Sequence, residues 1–321
     1  MSATITTSLY GVAATLIQIV AVGLGGPLLV GLMAKVKARA EGRVGAPIVQ
    51  PLRDLRKLLS KERLHARHSS VVLPLAPMII LAATAVAVAI SPLVSTHPFL
   101  GASADILVVV YLLLTGTVAA ALAGLDAGTA FGGMGSSRVM TIGALAEPAL
   151  LVAVIALSIQ SGTSNLPSMM SSTIAHPDWV FGPSRLLALG ALLIVVIAET
   201  GRIPVDNPAT HLELTMVHEA MILEYAGPEL ARFSLGEAMR LGLLFSLVAN
   251  LFFPWGIATS DSVLALAVGV ILLMAKAALV ALGVALIEVR SAKLRLFRLP
   301  ELLAGGFVLS VLAVVTGLVT K

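Results

Sequence analysis

The chain has 321 residues, 58% of them hydrophobic and 12% charged, with 21 Lys and Arg against 17 Asp and Glu. Soluble domains carry about a quarter charged residues, so this composition excludes an ordinary globular enzyme and points to a membrane protein. Cysteine is absent, which excludes a disulfide framework and any Cys-ligated zinc or iron–sulfur cluster on this chain.

Eight apolar segments are long enough to cross roughly 30 Å of hydrocarbon at 1.5 Å per residue. They run over about 8–34, 71–93, 104–124, 139–161, 184–200, 238–257, 262–288 and 300–319. The expected fold is an all-α polytopic membrane protein with about eight transmembrane helices, forming one integral membrane domain over 1–321. No basic region precedes the first segment, which is long enough to span, so it reads as a span rather than a signal peptide.

The first connection, 35–70, is strongly basic. Lys35, Lys37 and Arg39 form a basic helix end, and Gly42, Gly45 and Pro47 turn the chain, with Arg43 in the turn. Pro51 then opens a short amphipathic helix with apolar residues at 52, 55, 58 and 59. Arg39, Arg43, Pro47, Gln50, Arg53, Asp54 and Lys57 are read as a docking surface for a soluble partner, with contact to anionic lipid headgroups as a second role. The glycine-rich stretch 124–138 lacks the Lys-Ser/Thr of a phosphate loop. It reads as a tight turn that lets helices approach closely, with Asp126 and Arg138 placed to pair across it and Asp126 counted with the proton-relay residues.

Glu147, followed by Pro148, lies within the fourth span. A lone carboxylate there must be neutral, paired or hydrated, and Pro148 removes a backbone donor and loosens the helix. Proton handling is the reading adopted, with a structural hydrogen bond as the alternative. The outer stretch 162–183, with His176, Asp178 and Trp179, carries no assigned chemistry.

The stretch 199–237 concentrates ionisable groups: Glu199, Arg202, Asp206, His211, Glu213, His218, Glu219 and Glu224, with Glu229 beyond. Gly201 and Pro204 break the fifth span, and Asn207 with Pro208 is expected to start a cytoplasmic amphipathic helix between spans five and six. At 100° per residue His211 and His218 share one direction and Glu213 and Glu224 another. Such a file, partly desolvated, gives coupled titrating sites that can pass a proton toward Glu147. Arg202 is read as a countercharge for Asp206; a purely structural pair is equally open. For His211 and His218, bonding to a partner's carbonyls is the alternative. The stretch lacks His-Glu-x-x-His, so no metal site is assigned. In span seven, Lys276 is read as a proton carrier or counter-ion, or as one half of a structural pair with an intramembrane acid. Glu288 and Arg290 read as an interfacial pair, and 293–298 as a membrane-facing or docking patch.

Eighteen of the 21 Lys and Arg fall in 35–68, 125–138, 201–240 and 289–299, and none in the alternate connections. The isoelectric point near 9.6 is thus better explained by positive-inside bias than by nucleic-acid binding. It predicts that these four connections face the cytoplasm and that both termini lie outside.

Glu199-x-x-Arg202-x-Pro204-x-Asp206, then Glu213-Leu214 and Glu224-Tyr225-Ala226-Gly227, resembles the signature loop of the complex I subunit 1 family. The Asp206–Met221 version resembles the hydrogenase-4 component C and formate hydrogenlyase subunit 4 type. It departs from the respiratory type at Ala209, Thr210 and His211, where glutamates are usual. The resemblance implies a multi-pass subunit of a prokaryotic cytoplasmic membrane, itself without cofactor and without catalytic residues. It implies partners resembling hydrogenase large and small subunits, iron–sulfur proteins and antiporter-like membrane subunits. The [NiFe] centre and iron–sulfur clusters are then expected on those partners. The function it implies is coupling of redox chemistry in a cytoplasmic arm to proton or sodium translocation. A quinone-chamber subunit of respiratory NADH dehydrogenase is the alternative within the family. A stand-alone secondary transporter is the alternative outside it; that class favours internal repeats or two broken helices, and the chain shows one broken region.

Overall fold

The computed structural model describes residues 2–64, 66, 69–206 and 217–319. Among them the regular structure is helical, with only two isolated β-bridges, Ser95 with Ala258 and Asp105 with Asn165. The helices are α1 Ser2–Ala40, α2 Gln50–Leu59, α3 Val72–Ile90, α4 Ile106–Asp126, α5 Ala130–Ser161, α6 Leu166–Ala175, α7 Pro183–Glu199, α8 His218–Ile222, α9 Gly227–Phe252, α10 Val263–Arg290 and α11 Leu299–Val319.

Seven of these are long and apolar enough to cross a membrane: α1, α3, α4, α5, α9, α10 and α11. The remaining expected span is α7, whose 17 residues sit at the short end of the roughly 17–25 residues that a crossing takes. α9 is the hub. Of its apolar window 89% lies inside the protein, against 28% for α10 and for α11. It packs against α1, α3 and α10, and more lightly against α7, while α11 closes on α5 and α7.

Several boundaries differ from those read in the sequence. α9 starts at Gly227 rather than 238, because Glu229 and Arg240 are buried inside the bundle and do not mark a loop. α5 starts at Ala130, so most of the glycine-rich stretch is helix and the turn is only 127–129. The close approach expected of it is real: a Cβ on Gly132 would lie 2.3 Å from the Gly124 carbonyl oxygen. α1 continues to Ala40, since Lys35–Arg39 carry no helix breaker.

Two sets of connections gather at opposite ends of the bundle. At one end Tyr10 Oη donates to the Ser260 carbonyl at 2.8 Å, and Leu166 N–H donates to the Ala104 carbonyl. Buried Arg185 donates there to Gln160 Oε1, Thr173 Oγ1 and the Leu251 carbonyl. At the other end the four basic connections meet. Asp126 Oδ2 accepts from the N–H groups of Ser70 and Leu73, Tyr225 Oη donates to the Leu73 carbonyl, and Leu294 N–H donates to the Pro204 carbonyl. Asp126 therefore caps α3 and does not pair with Arg138, which sits half-buried on α5.

Candidate functional site

α7 delivers Glu199 to the end of the bundle where the basic connections meet. Thr200 Oγ1 bonds back to the Val196 carbonyl, and the helix stops at Gly201, whose φ of +58° is a left-handed conformation open to glycine at little cost. A side chain there would also strike His218, since a Cβ would lie 2.6 Å from the ring Nδ1. The Ile203–Pro204 peptide is cis, and the chain then carries Asp206 inward to 2% exposure. His211 and Glu213 lie outside the described residues, as do Asn207 and Pro208. The described part of the expected amphipathic helix is α8, five residues long.

Asp206 is held from two sides. Lys293 Nζ lies 2.8 Å from Oδ1, and His218 offers its backbone N–H at 3.2 Å and its ring Nδ1 at 3.4 Å to Oδ2. Burial opposes ionisation, but the hydrogen bonds and charges of His218 and Lys293 outweigh it and pull the carboxyl down from 3.8 to about 2. Arg202 is not its countercharge. That guanidinium faces the fully buried carboxylate of Glu288, 4.0 Å from Oε1, while Lys37 Nζ lies 3.0 Å from Oε2. Burial lowers the Arg202 pKa and the Glu288 charge raises it, with burial the larger effect. Glu288 therefore locks α1, α10 and the Arg202 loop together, and Arg290 is not its partner.

Deeper in the bundle, Arg240 of α9 donates through Nη2 to Glu199 Oε2 and through Nη1 to Thr117 Oγ1 at 2.7 Å. Its Nε has no hydrogen-bond partner among the described residues. The pair is almost dry, with side-chain exposures of 6% for Arg240 and 17% for Glu199. At such a site each charge depends on the other, since removing one would leave its partner buried and uncompensated.

Three cavities lie along these groups. The largest of the three, ≈ 370 Å³, is roofed by Leu55 and Leu58 of α2 and floored by α9; its ionisable lining is Asp54, Arg202, Asp206, His218, Glu219 and Glu237. The second, ≈ 20 Å³, shares His218, Phe233 and Glu237 with the first and adds Glu199 and Arg240. The third, ≈ 30 Å³, shares Glu199 with the second and ends at Glu147. Each small cavity has room for about one or two waters, given roughly 10–15 Å³ per water centre. Together they form a row from the basic end of the bundle to the middle of α5: Asp206, His218 and Glu219, then Glu237, then Arg240 and Glu199, then Glu147.

The structure thus brings together Glu147, Glu199, Asp206, His218 and Glu219 from the residues read in the sequence. Glu224 is half-buried in the turn after α8 and does not line these three cavities. Lys276 stands apart: its ammonium donates to Asn250 Oδ1 at 2.6 Å and to the Phe253 and Trp255 carbonyls at 3.1 and 3.2 Å. It ties off the end of α9 and, among the described residues, pairs with no acid. Among those residues, too, no group of three His, Asp or Glu is placed to hold a metal ion.

Glu237 is not among the site residues read in the sequence, Glu288 is read there as an interfacial partner of Arg290, Arg240 as a loop charge and Lys293 as part of a membrane-facing or docking patch. A signal is present for Glu237 and Arg240. They are three apart, one helical turn on a shared face, and they run directly into an apolar segment.

The segment read as a docking surface folds as a tight loop followed by a short helix. The loop 42–49 folds onto α1 so closely that a Cβ on Gly31 would lie 2.0 Å from the Ile48 carbonyl oxygen. Gly42 and Gly45 take positive φ, Pro47 is exposed, and Lys35 Nζ donates to the Val44 and Gly45 carbonyls. α2 then begins at Gln50, whose side chain donates to Asp54 Oδ1 at 2.9 Å. Arg39, Arg43, Arg53, Arg56 and Lys57 are exposed, with Arg43 paired to Glu41.

Comparison with known proteins gives the relatives of this arrangement. The NADH dehydrogenase family model matches residues 13–319. Hydrogenase-4 component C of Escherichia coli K12 is 31% identical over 288 residues, covering 89% of this chain and 90% of that protein. Formate hydrogenlyase subunit 4 of the same organism is 28% identical over 303 residues, with 94% and 97% coverage. Among solved structures, a chain of the membrane-bound sulfane sulfur reductase, an archaeal respiratory membrane complex, superposes with a TM-score of 0.83 over 95% of this chain and 98% of that one. Its sequence identity is 20%, so the likeness is one of fold.

Proposed function

The chain belongs to the NADH dehydrogenase family, in its complex I subunit 1-like group, as a membrane subunit of a respiratory-type complex, and from that premise we propose that it couples redox chemistry in a cytoplasmic [NiFe]-hydrogenase-like arm to ion translocation. The observation that carries the reading is the row of three cavities, with carboxylates at each, running from Asp206 to Glu147. A buried acid is costly unless it is paired or watered, and here each acid has either a cation or a cavity beside it.

In this reading the soluble arm docks on the basic face of α1 and α2. A charge change at the arm's base acts on the hydrogen bonds that join Asp206, His218 and Lys293, the groups nearest that face. The change passes inward through Glu237 to the Glu199–Arg240 pair. Protonation of Glu199 loosens Arg240, whose other anchor is Thr117, and lets a proton move through cavity water to Glu147. Lateral antiporter-like subunits would take the signal from there. The chain bears no catalytic residue in this scheme and holds no cofactor; nickel and iron reside on partner subunits. With α7 counted as a crossing, the basic connections face the cytoplasm, both termini lie outside, and the membrane is the prokaryotic inner one.

The cavity of ≈ 370 Å³ supports a second reading as a quinone chamber, since its size falls within the roughly 300–1,000 Å³ of small-molecule sites. One purification separates the two. A tag on this chain, gentle detergent and metal analysis are expected to give stoichiometric nickel with iron and several accompanying chains. Iron with flavin and no nickel would move the assignment to the quinone reading. A lone metal-free chain that transports a solute in vesicles would overturn both.

A further inference from the structure

α10 and α11 are the spans least covered by the rest of the chain, with 28% of each apolar window inside the protein. Exposed apolar side chains run along both, such as Ile271 and Leu279 on α10 and Val308 and Val315 on α11. The two helices are joined by 291–298, which ends in a 3₁₀ turn, Leu296–Arg298. That turn leaves Phe297 92% exposed and Leu296 40% exposed. Arg290, Arg295 and Arg298 are exposed around it. None of the three has a carboxylate within ion-pair distance among the described residues, although Glu301 stands only one turn into α11. Lys293, in the same connection, is used differently: it turns inward onto Asp206.

Single exposed leucines need no explanation. A phenylalanine bare on nearly all sides, in the same connection as Arg295 and Arg298, following Arg290 and leading directly into the sparsely covered α11, does. Water is a poor surrounding for the ring, and hydrocarbon is a poor one for the cations. The boundary between headgroups and acyl chains suits both. Guanidinium matches phosphate oxygens by paired N–H donors, where an ammonium acts as a point charge. An acidic protein surface would satisfy the arginines equally well. Phe297 leads directly into α11, most of whose apolar window is left uncovered by the chain, and that position decides between them.

We propose that the α10–α11 turn is a binding site for the headgroup of an anionic phospholipid, with Phe297 and Leu296 inserted at the acyl boundary and Arg290, Arg295 and Arg298 on the phosphate. The inference rests on the membrane-spanning fold and not on the coupling reading. Its position has a consequence: Leu294 N–H donates to the Pro204 carbonyl at 2.9 Å, and Lys293 holds Asp206. The bound headgroup would therefore sit beside the strand of chain that positions the buried carboxylate.

The test uses the assembled complex reconstituted in nanodiscs of mixed phosphatidylglycerol and phosphatidylcholine, re-extracted in mild detergent, with retained lipid identified by mass spectrometry. Wild type is expected to retain phosphatidylglycerol over phosphatidylcholine. The triple variant Arg290→Gln, Arg295→Gln, Arg298→Gln should lose at least about five-fold of that preference, the effect of roughly one surface cation. Phe297→Ser should weaken it with the charges intact. Equal retention by wild type and the triple variant would overturn the proposal. So would unchanged lipid with loss of a soluble subunit, which would assign the patch to protein docking. If the triple variant does not assemble, the single variants Arg295→Gln and Arg298→Gln and a high-salt wash of wild type decide: lipid unaffected by all three overturns the proposal.

Discussion

Lys293 Nζ stands 2.8 Å from Oδ1 of Asp206, joining the connection after α10 to the loop after α7. The relationship fixes the sign of a pH effect. The folded pKa of Asp206, about 2, lies below the unfolded carboxylate value. Its contribution is therefore complete above about pH 5 and is lost as pH falls through 2, roughly 2 kcal/mol in all. Pepsin cleavage within 200–206, normalised to a peptide substrate, should rise as pH drops from 4 to 2. Asp206→Asn should be cleaved readily throughout that window. A wild-type loop equally resistant at pH 4 and pH 2 would contradict the assignment.

The Glu199–Arg240 pair tests the relay. Glu199→Gln keeps the volume and removes the charge that Arg240 faces. In inverted vesicles the assembled complex should keep electron turnover within about three-fold while ion translocation falls at least about ten-fold, the size of effect that loss of one positioned proton carrier produces. Translocation per electron equal to wild type would remove Glu199 from the path. Glu147→Gln should behave similarly, with the stability of the complex unchanged, because Glu147 has no hydrogen-bond partner among the described residues.

Gly201 supports the site through its backbone. Alanine there must adopt φ near +58° with its Cβ about 2.6 Å from His218 Nδ1. The left-handed conformation alone costs about 1–2 kcal/mol, and the ring must move as well. Gly201→Ala should lower the melting temperature of the detergent-solubilised protein and reduce coupling. Gly133→Ala, with open space around it and ordinary φ, is the control that should do neither.

The spans are legible in the sequence because a crossing helix needs a long apolar run and little else distinguishes it. The charged helical starts are not. Glu229, Arg232 and Glu237 look like a soluble loop until α3 and α1 are packed around them, and only then does burial of polar groups inside a bundle become visible. The segment from Glu199 to Glu224 announces itself by charge density alone. Its partners do not, since Lys293, Glu288 and Arg240 are chosen by how α9 and α10 pack and not by anything local to Asp206 or Glu199. Arg202 and Asp206 sit four apart and suggest a pair. The break at Gly201 and Pro204 sends their side chains to different neighbours.

Lys276 separates a structural ammonium from a functional one. All three of its donors are taken by Asn250 and the two carbonyls that finish α9. Lys276→Met should leave those acceptors unsatisfied and cost about 1–3 kcal/mol of stability, read as a lower melting temperature. The ratio of ions moved to electrons transferred should stay at the wild-type value in whatever complex survives. A stable variant with that ratio abolished would return Lys276 to the path.

The face of α2 is the remaining test of how the chain meets its partner. Its apolar side, Leu55 and Leu58, roofs the main cavity, while Arg53, Arg56 and Lys57 point outward and form no ion pair with the chain's own acids among the described residues. A helix that only sealed the cavity would need the first side and gain nothing from the second. Reversing the three charges to glutamate should leave the membrane-inserted level of the chain unchanged but release soluble subunits during purification, more so at low salt, where unscreened repulsion is strongest. Retention of those subunits at wild-type stoichiometry would mean that α2 lies against lipid and that the arm docks elsewhere.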